Sequence, residues 1–242
     1  ALFVLLRTGP EELIVWLPDF PAAELAERLM RFRFRSKVMI EVLENIHAHS
    51  VFATPVDLTL DAAGNCAAIQ CGEENHDVTR IVLDMSGHTP RTLLLQTDAS
   101  THNASTDANA RWRLEDISHG IPRLAGVQVE AFTPQMLGLD RLSAFSVKKG
   151  CYPGQEIVAR THFLGQAKRT AVRLALTAPA EPGLRLTSAS GAQAELLCIA
   201  RFDSRIEALA VAPVDTGIDP FHSEDGRIQA TPLPLLDGLA RA

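Results

Sequence analysis

From Gly165 onward the chain is written in short apolar runs, at 169–176, 194–202 and 208–211, closed off by proline and glycine. No stretch there keeps the period of a helix. Runs of that length between turn residues are strand signals. They predict a β-rich C-terminal domain over 165–242, most simply a small barrel. The pattern upstream is different. Apolar runs at 2–7 and 13–17 flank the turn Thr8-Gly9-Pro10 and predict a β-hairpin. Asp19 stands where it can cap a following helix that has Pro21 near its first position. Leu25, Leu29 and Phe32 then give that helix one apolar face. Residues 37–43 read as a third strand. The order strand–strand–helix–strand predicts an α+β domain, and it also predicts a further element upstream of Ala1. The expected fold class is α+β over 1–164 followed by a C-terminal β-barrel.

Between 51 and 96 the text is strand-like, punctuated at Ala62-Ala63-Gly64-Asn65, Gly72 and Ser86-Gly87. Residues 99–110 are polar and small and read as a loop. Asp107 is placed to cap a helix through Trp112 and Ile117, stopped by Gly120 and Pro122. Thr133-Pro134 reads as one more cap. The 242 residues suffice to bury about 70% of the unfolded surface without a disulfide or metal. The longest apolar runs fall far short of the roughly 20 residues of a membrane span. No basic leader region precedes the apolar opening, so a cytoplasmic setting is expected. Four cysteines fit neither a disulfide framework nor a zinc pattern. Cys66, Cys71 and Cys198 read as packing, Trp16 as core, and His47-Ala48-His49 lacks a third ligand, so no metal is expected. A net charge of −6 argues against a protein that coats nucleic acid. Phosphate-loop, nucleophile-elbow and zinc-protease signatures are absent.

The densest stretch is Lys148-Lys149-Gly150-Cys151-Tyr152-Pro153-Gly154-Gln155-Glu156, which holds the chain's single tyrosine. Pro153-Gly154 suits the centre of a type II turn. A free cysteine is most often small core filler. Here it sits on a turn beside two lysines, and neighbouring cations favour the thiolate. A helix beginning near Gln155 acts in the same direction. From 147 to 173 there are six basic residues (Lys148, Lys149, Arg160, Lys168, Arg169 and Arg173) against one acid, Glu156. A solvated basic face is the plain reading, and a site for a small anionic ligand is the functional one. No aromatic residues interleave these charges as they do where bases stack. Trp112 reads as core by default and as a platform for a flat heterocycle otherwise.

The run from Lys149 to Glu156, continued by Ile157-Val158-Ala159-Arg160, resembles the signature of the YgfZ-type folate-binding proteins. These are relatives of the glycine-cleavage T protein, an aminomethyltransferase. The likeness extends to Trp112, Gly120-Ile121-Pro122, Phe132-x-Pro134-Gln135 with Leu139 and Leu142, Leu164-Gly165 and Lys168-Arg169. It is strong over about 111–170 and faint elsewhere. Pro153 stands where the family commonly has threonine. Members usually carry about fifty further N-terminal residues, with a second folate-contacting tryptophan that Trp16 does not match. The resemblance implies two T-protein-like, ferredoxin-like α+β lobes that bind tetrahydrofolate, plus a C-terminal barrel. It also implies an accessory role in assembling or repairing iron–sulfur clusters in client enzymes, and through them in tRNA methylthiolation. On this reading Cys151 is the functional thiol, flanked by Lys149 and Tyr152. Trp112 stacks on the pterin, basic residues near Arg160–Arg169 hold the glutamate tail, and Gln155 and Glu156 complete the cofactor site. The alternative is a folate-dependent one-carbon transferase, which needs a carboxylate for proton handling, with Glu115, Asp116 and Glu156 in view. A direct RNA-binding module is a third and weaker reading.

Overall fold

The computed structural model describes residues 2–54, 67–71, 78–97, 105–146, 156–165, 167–215 and 217–237, with backbone alone at 67–71, 78–79, 162 and 164. Near the start, β1 (Val4–Arg7) and β2 (Leu13–Trp16) pair antiparallel, Val4 opposite Trp16 and Arg7 opposite Leu13, as the hairpin pattern requires. Helix α1 (Ala22–Met30) follows. A second antiparallel sheet has the order β3-β6-β5-β4, from β3 (His47–Val51), β4 (Ala67–Cys71), β5 (Val78–Asp84) and β6 (Thr92–Gln96). Ile81, Leu83, Leu93 and Leu95 of this sheet bury one face together with Leu6 of β1.

Helix α2 (Thr106–Ser118) joins the two halves of the molecule. Its cap is Ser105, whose Oγ accepts from Ala108 N at 3.3 Å. It stops where Gly120 takes φ +74°, with Ile121 N donating to Asp116 O and Gly120 N to Ile117 O. That pair of bonds closes the last turn in the Schellman manner and requires the left-handed residue. Trp112 faces the sheet, while Leu114 and Ile117 pack on Leu197, Cys198, Leu209 and Val211. Those four lie on the C-terminal barrel, on strands described next.

After helix α3 (Glu156–Leu164) come β7 (Arg169–Leu176), β8 (Arg185–Ser188), β9 (Gln193–Phe202), β10 (Arg205–Pro213), β11 (Phe221–His222) and β12 (Gln229–Leu233). They close into a six-stranded barrel in the order β10-β7-β12-β11-β8-β9. Leu174, Leu186, Leu196, Ala208, Ala210 and Phe221 fill its interior. The register slips between Leu209 and Ala210, leaving Leu197 as an extra residue on β9. Such a bulge lets neighbouring residues of one strand face the same side, and Leu197 and Cys198 both turn out toward α2. Beyond β12 the chain returns to α2, Leu236 N donating to Ser118 O at 2.8 Å.

The fold thus mixes helices and antiparallel strands and carries the expected C-terminal barrel. Several local expectations are corrected. Asp19 does not cap α1, which has no side-chain cap; its carboxylate instead accepts from Arg123 Nη1 at 3.0 Å. Residues 37–43 form no strand, because apolar, β-favouring side chains make a ladder only where a partner strand is present. The supposed loop at 99–110 is helical from Thr106 on, and the cap is Ser105 rather than Asp107. The apolar face of α1 buries no residue. Thr133 Oγ1 accepts from Met136 N as a cap does, but the segment continues as turns rather than a helix. Among the described residues no helix is long and apolar enough to cross a membrane.

Candidate functional site

The most heavily built polar cluster lies where α2 meets the sheet. Arg91, just ahead of β6, is 0% exposed. Its Nη1 donates to Asp116 Oδ1 at 2.8 Å and to Trp112 O at 3.3 Å, and its Nε donates to Met85 O at 3.2 Å. Its guanidinium carbon lies 4.5 Å from the Trp112 ring centre, and Phe52 meets that ring edge-on at 5.8 Å. Asp116 Oδ2 accepts from Arg123 Nη2 at 3.3 Å, and Arg123 reaches on to Asp19. The charges therefore alternate Arg91–Asp116–Arg123–Asp19 from the sheet to the segment before α1. Burial lifts the Asp116 carboxyl above the ordinary value, against the pull of Arg91 and then Arg123. Protonation would leave the fully buried Arg91 guanidinium without a counter-charge, which opposes the effect of burial. Burial works against the Arg123 cation too, yet Asp116 and Asp19 hold it above its usual value.

Beside this chain, Thr89 Oγ1 donates to Glu115 Oε1 at 3.1 Å, and His88 N donates to His119 Nε2 at 3.1 Å. An Nε2 that accepts a bond belongs to a neutral ring protonated at Nδ1. Burial, and then the charge of Arg91, lower the His119 pKa. Gly87 lies against this ring so closely that a Cβ there would stand 2.2 Å from Cε1. Arg141 Nη2 donates to the His119 carbonyl, and Arg141 Nη1 donates to Asp237 Oδ1 at 3.0 Å.

On the barrel side of Asp116 a cleft of about 200 Å3 opens. Ile117, Ile121, Leu124, Pro182 and Cys198 give it an apolar floor, and Arg113, Arg123, Asp19 and Asp116 give it a charged wall. On that wall the buried Arg123 Nε has no hydrogen-bond partner. Leaving a buried donor unpaired costs on the order of 1–3 kcal/mol. A flat ligand carrying both donors and acceptors suits such a cleft. Burial pushes the Cys198 thiol up to about 11, which keeps it protonated and fits its reading as packing.

Of the residues expected from sequence, Cys151, Lys149, Tyr152 and Gln155 lie outside the described residues. Glu156 opens α3 and Arg160 is on the same helix, both exposed. Arg169 opens β7 and donates to Val211 O at 2.8 Å. Trp112 is 6% exposed, with Arg91 over its ring. The described part of the motif is tied to the body by Gln135 Nε2, which donates to Val158 O at 2.9 Å. Sequence reasoning missed Arg91, Arg123 and His119. No motif marks them, and the only hint is an arginine bordering the apolar run of β6. Among the described residues no cluster of three or more His, Cys, Asp or Glu is placed to hold a metal.

Fold and site together define a mixed α/β protein whose closed barrel is attached through one helix bearing a buried arginine–aspartate chain. No protein-family model matches the chain. It is similar to three proteins named tRNA-modifying protein YgfZ. The one from Colwellia psychrerythraea is 37% identical over 92 residues, 35% of this chain and 28% of the relative. The one from Klebsiella pneumoniae is 36% identical over 104 residues, 39% and 32%. That of Photobacterium profundum is 40% identical over 77 residues, 31% and 23%. The matches span about a quarter to a third of these relatives' length. They support a YgfZ-type family assignment.

Proposed function

We propose that this chain belongs to a tetrahydrofolate-binding accessory protein that supports tRNA modification through iron–sulfur enzymes, with Cys151 as its working thiol. The observation that carries the reading is the agreement of the Lys149–Arg160 signature with 36–40% identity to proteins named for tRNA modification. The structure is compatible with the ligand. A pterin offers a flat face, an amidine-like edge that donates to carboxylates, and a carbonyl that accepts. The cleft at Asp116 presents an apolar floor, two carboxylates and the unpartnered Arg123 Nε. Bound there, tetrahydrofolate would supply one-carbon or reducing chemistry. The chain's own part is to hold the ring by Arg123 and Asp19 and to shield it against Ile117 and Leu124.

Trp112 lies one helical turn from Asp116 and shares Arg91 with it; its ring packs on the sheet rather than lining the cleft, so its fluorescence would respond to binding there only through Arg91. Of the carboxylates in view for one-carbon transfer, Asp116 has both oxygens bonded to guanidiniums, which leaves it poorly placed as a proton acceptor.

The test is a tetrahydrofolate titration of the full protein followed by tryptophan fluorescence. Saturable quenching is expected in the parent, strongly diminished in Trp112→Phe, with binding weakened about tenfold or more in Arg123→Ala. Absence of binding in the parent sinks the folate reading. Steady turnover of an aminomethyl donor would replace the accessory role by a transferase.

A further inference from the structure

The stretch that leaves α1 reads Arg31-Phe32-Arg33-Phe34-Arg35-Ser36-Lys37, with guanidiniums and phenyl rings alternating one by one. From 28 to 37 there are five basic residues and no acid, a local charge of +5 in a chain whose net charge is −6. The alternation of rings and cations that the basic stretch at 147–173 lacks is present here. All seven residues from 31 to 37 are exposed, Phe32 at 68% and Phe34 at 86%. Single apolar side chains on a surface need no account, but a contiguous exposed set marks an interaction site. Ser36 N donates to Arg33 O at 2.8 Å and closes a turn in which Phe34 takes φ +43°, a left-handed conformation uncommon for so bulky a residue.

The cations of the stretch are only lightly engaged. Arg31 pairs with Glu27 at 2.5 Å, both groups in water, where such a pair is weak. Arg33 Nη1 donates to Val38 O at 3.4 Å. Arg35 and Lys37 make no ion pair among the described residues.

The chemistry selects a particular partner. An unpaired nucleotide brings a flat base and, beside it, a phosphate. The stretch offers a ring for the one and a guanidinium on either side of each ring for the other. A duplex keeps its base faces inside the stack, where no ring reaches them. An anionic bilayer calls for a helix with apolar residues on one side and cations on the other. Beyond Met30 the chain has left the helix, and α1 itself sets Glu24 and Glu27 beside its arginines. An acidic protein segment would pair with the guanidiniums and give the rings no flat partner.

We infer that the stretch 31–37 binds single-stranded RNA, bases stacking on Phe32 and Phe34 and phosphates meeting the flanking arginines and Lys37. The choice of RNA among nucleic acids rests on the reading above, in which the protein serves tRNA modification. The site adds a direct contact with RNA to a role that otherwise reaches it only through other enzymes, and it makes no use of the Asp116 cleft.

The experiment titrates a fluorescein-labelled single-stranded RNA of about 12 nucleotides, read by anisotropy, into the full protein and its variants. Phe34→Ala should weaken binding about tenfold, the loss expected for one stacked base, and its exposure leaves folding intact. Phe34→Tyr, which keeps a flat ring, should restore affinity, and Phe34→Leu, which keeps only apolar bulk, should not. Arg35→Gln should reduce the slope of log affinity against log salt by about 0.7, as one lost phosphate contact does on a single strand. Binding unchanged by Phe34→Ala overturns the inference, as does rescue by Phe34→Leu as complete as that by Phe34→Tyr. Equal affinity for the same RNA annealed to its complement, or tighter binding to phosphatidylglycerol vesicles than to RNA, overturns it too. A parent that binds no RNA overturns it and leaves the folate reading standing, since that titration depends on Arg123 and not on Phe34. RNA binding that follows this pattern in a protein that takes no tetrahydrofolate upholds the inference and brings down the folate reading alone.

Discussion

The barrel and the segment around α1 are comparably apolar in sequence, yet one is packed and the other is not. Inside the barrel Leu174, Leu186, Leu196 and Ala210 are at 0% exposure. Around α1, Leu29 is 43% exposed, and Phe32, Phe34, Val38 and Met39 are exposed as well. Propensity does not separate them: α1 has a well-formed apolar stripe, and residues 37–43 favour strands. What separates them is partners. Six strands that close on themselves give every ladder a neighbour and every inward side chain an opposite wall. A two-stranded hairpin and a nine-residue helix have no such closure, and neither is stable alone. Between these extremes stands α2, which is packed on both sides and is also where the buried charges collect.

The largest effect is expected where charge and burial coincide. Asp116→Asn keeps the shape of α2 but leaves Arg91 buried without its anion, at a cost of about 3–5 kcal/mol. Glu24→Gln, which breaks the exposed Arg28–Glu24 pair on α1, should cost less than about 1 kcal/mol. Denaturant midpoints read both. Similar losses in the two variants would show that burial does not set the worth of these pairs.

The packing contrast has its own test, expected to be slightly smaller. Leu196→Ala empties the centre of the barrel and should cost about 2–5 kcal/mol. Leu29→Ala, on the open face of α1, should stay within about 0.5 kcal/mol. If Leu29→Ala proves as costly as Leu196→Ala, the α1 face is covered in solution.

What is legible in the sequence follows the same division. The three longest barrel strands are readable from the sequence, since 169–176 is β7 and 194–202 and 208–211 fall within β9 and β10, whereas the shorter β8, β11 and β12 are not. Local alternation and Gly/Pro punctuation fix the longer strands without outside help. The stop of α2 is readable because Gly120 is the residue a left-handed position demands. Residues 37–43 mislead because a strand's partner lies far away in sequence and leaves no local mark. The Arg91–Asp116–Arg123–Asp19 chain is not legible for the same reason: partners 7, 25 and 104 residues apart are set by tertiary packing alone. Asp116 enters the sequence reading only as a candidate base, and its two arginines occupy it instead. The motif signature tells of function but not of placement, since Cys151 lies outside the described residues.

The smallest effect expected is one of pH, and it belongs to α2 rather than to the barrel. His119 is fully buried, its Nε2 accepts from His88 N, and its folded pKa lies below the usual 6.5. The unfolded chain therefore takes up this proton more readily than the folded one. Stability rises with pH wherever the unfolded state binds more protons. The contribution is complete above about pH 6.5, declines as pH falls from there toward the folded pKa, and is level below it. Carboxylates titrate over part of the same range, so the comparison is made against His119→Gln, which lacks the ionisable ring. Urea unfolding of both proteins at several values between about pH 8 and pH 5 should show the parent losing stability faster on acidification. Parallel curves would mean that the ring takes up its proton equally readily in the folded and unfolded chain, so that burial beside Arg91 leaves its basicity unchanged. A parent that gained stability on acidification would mean that the ring is protonated and paired in the folded state, without the hydrogen bond from His88.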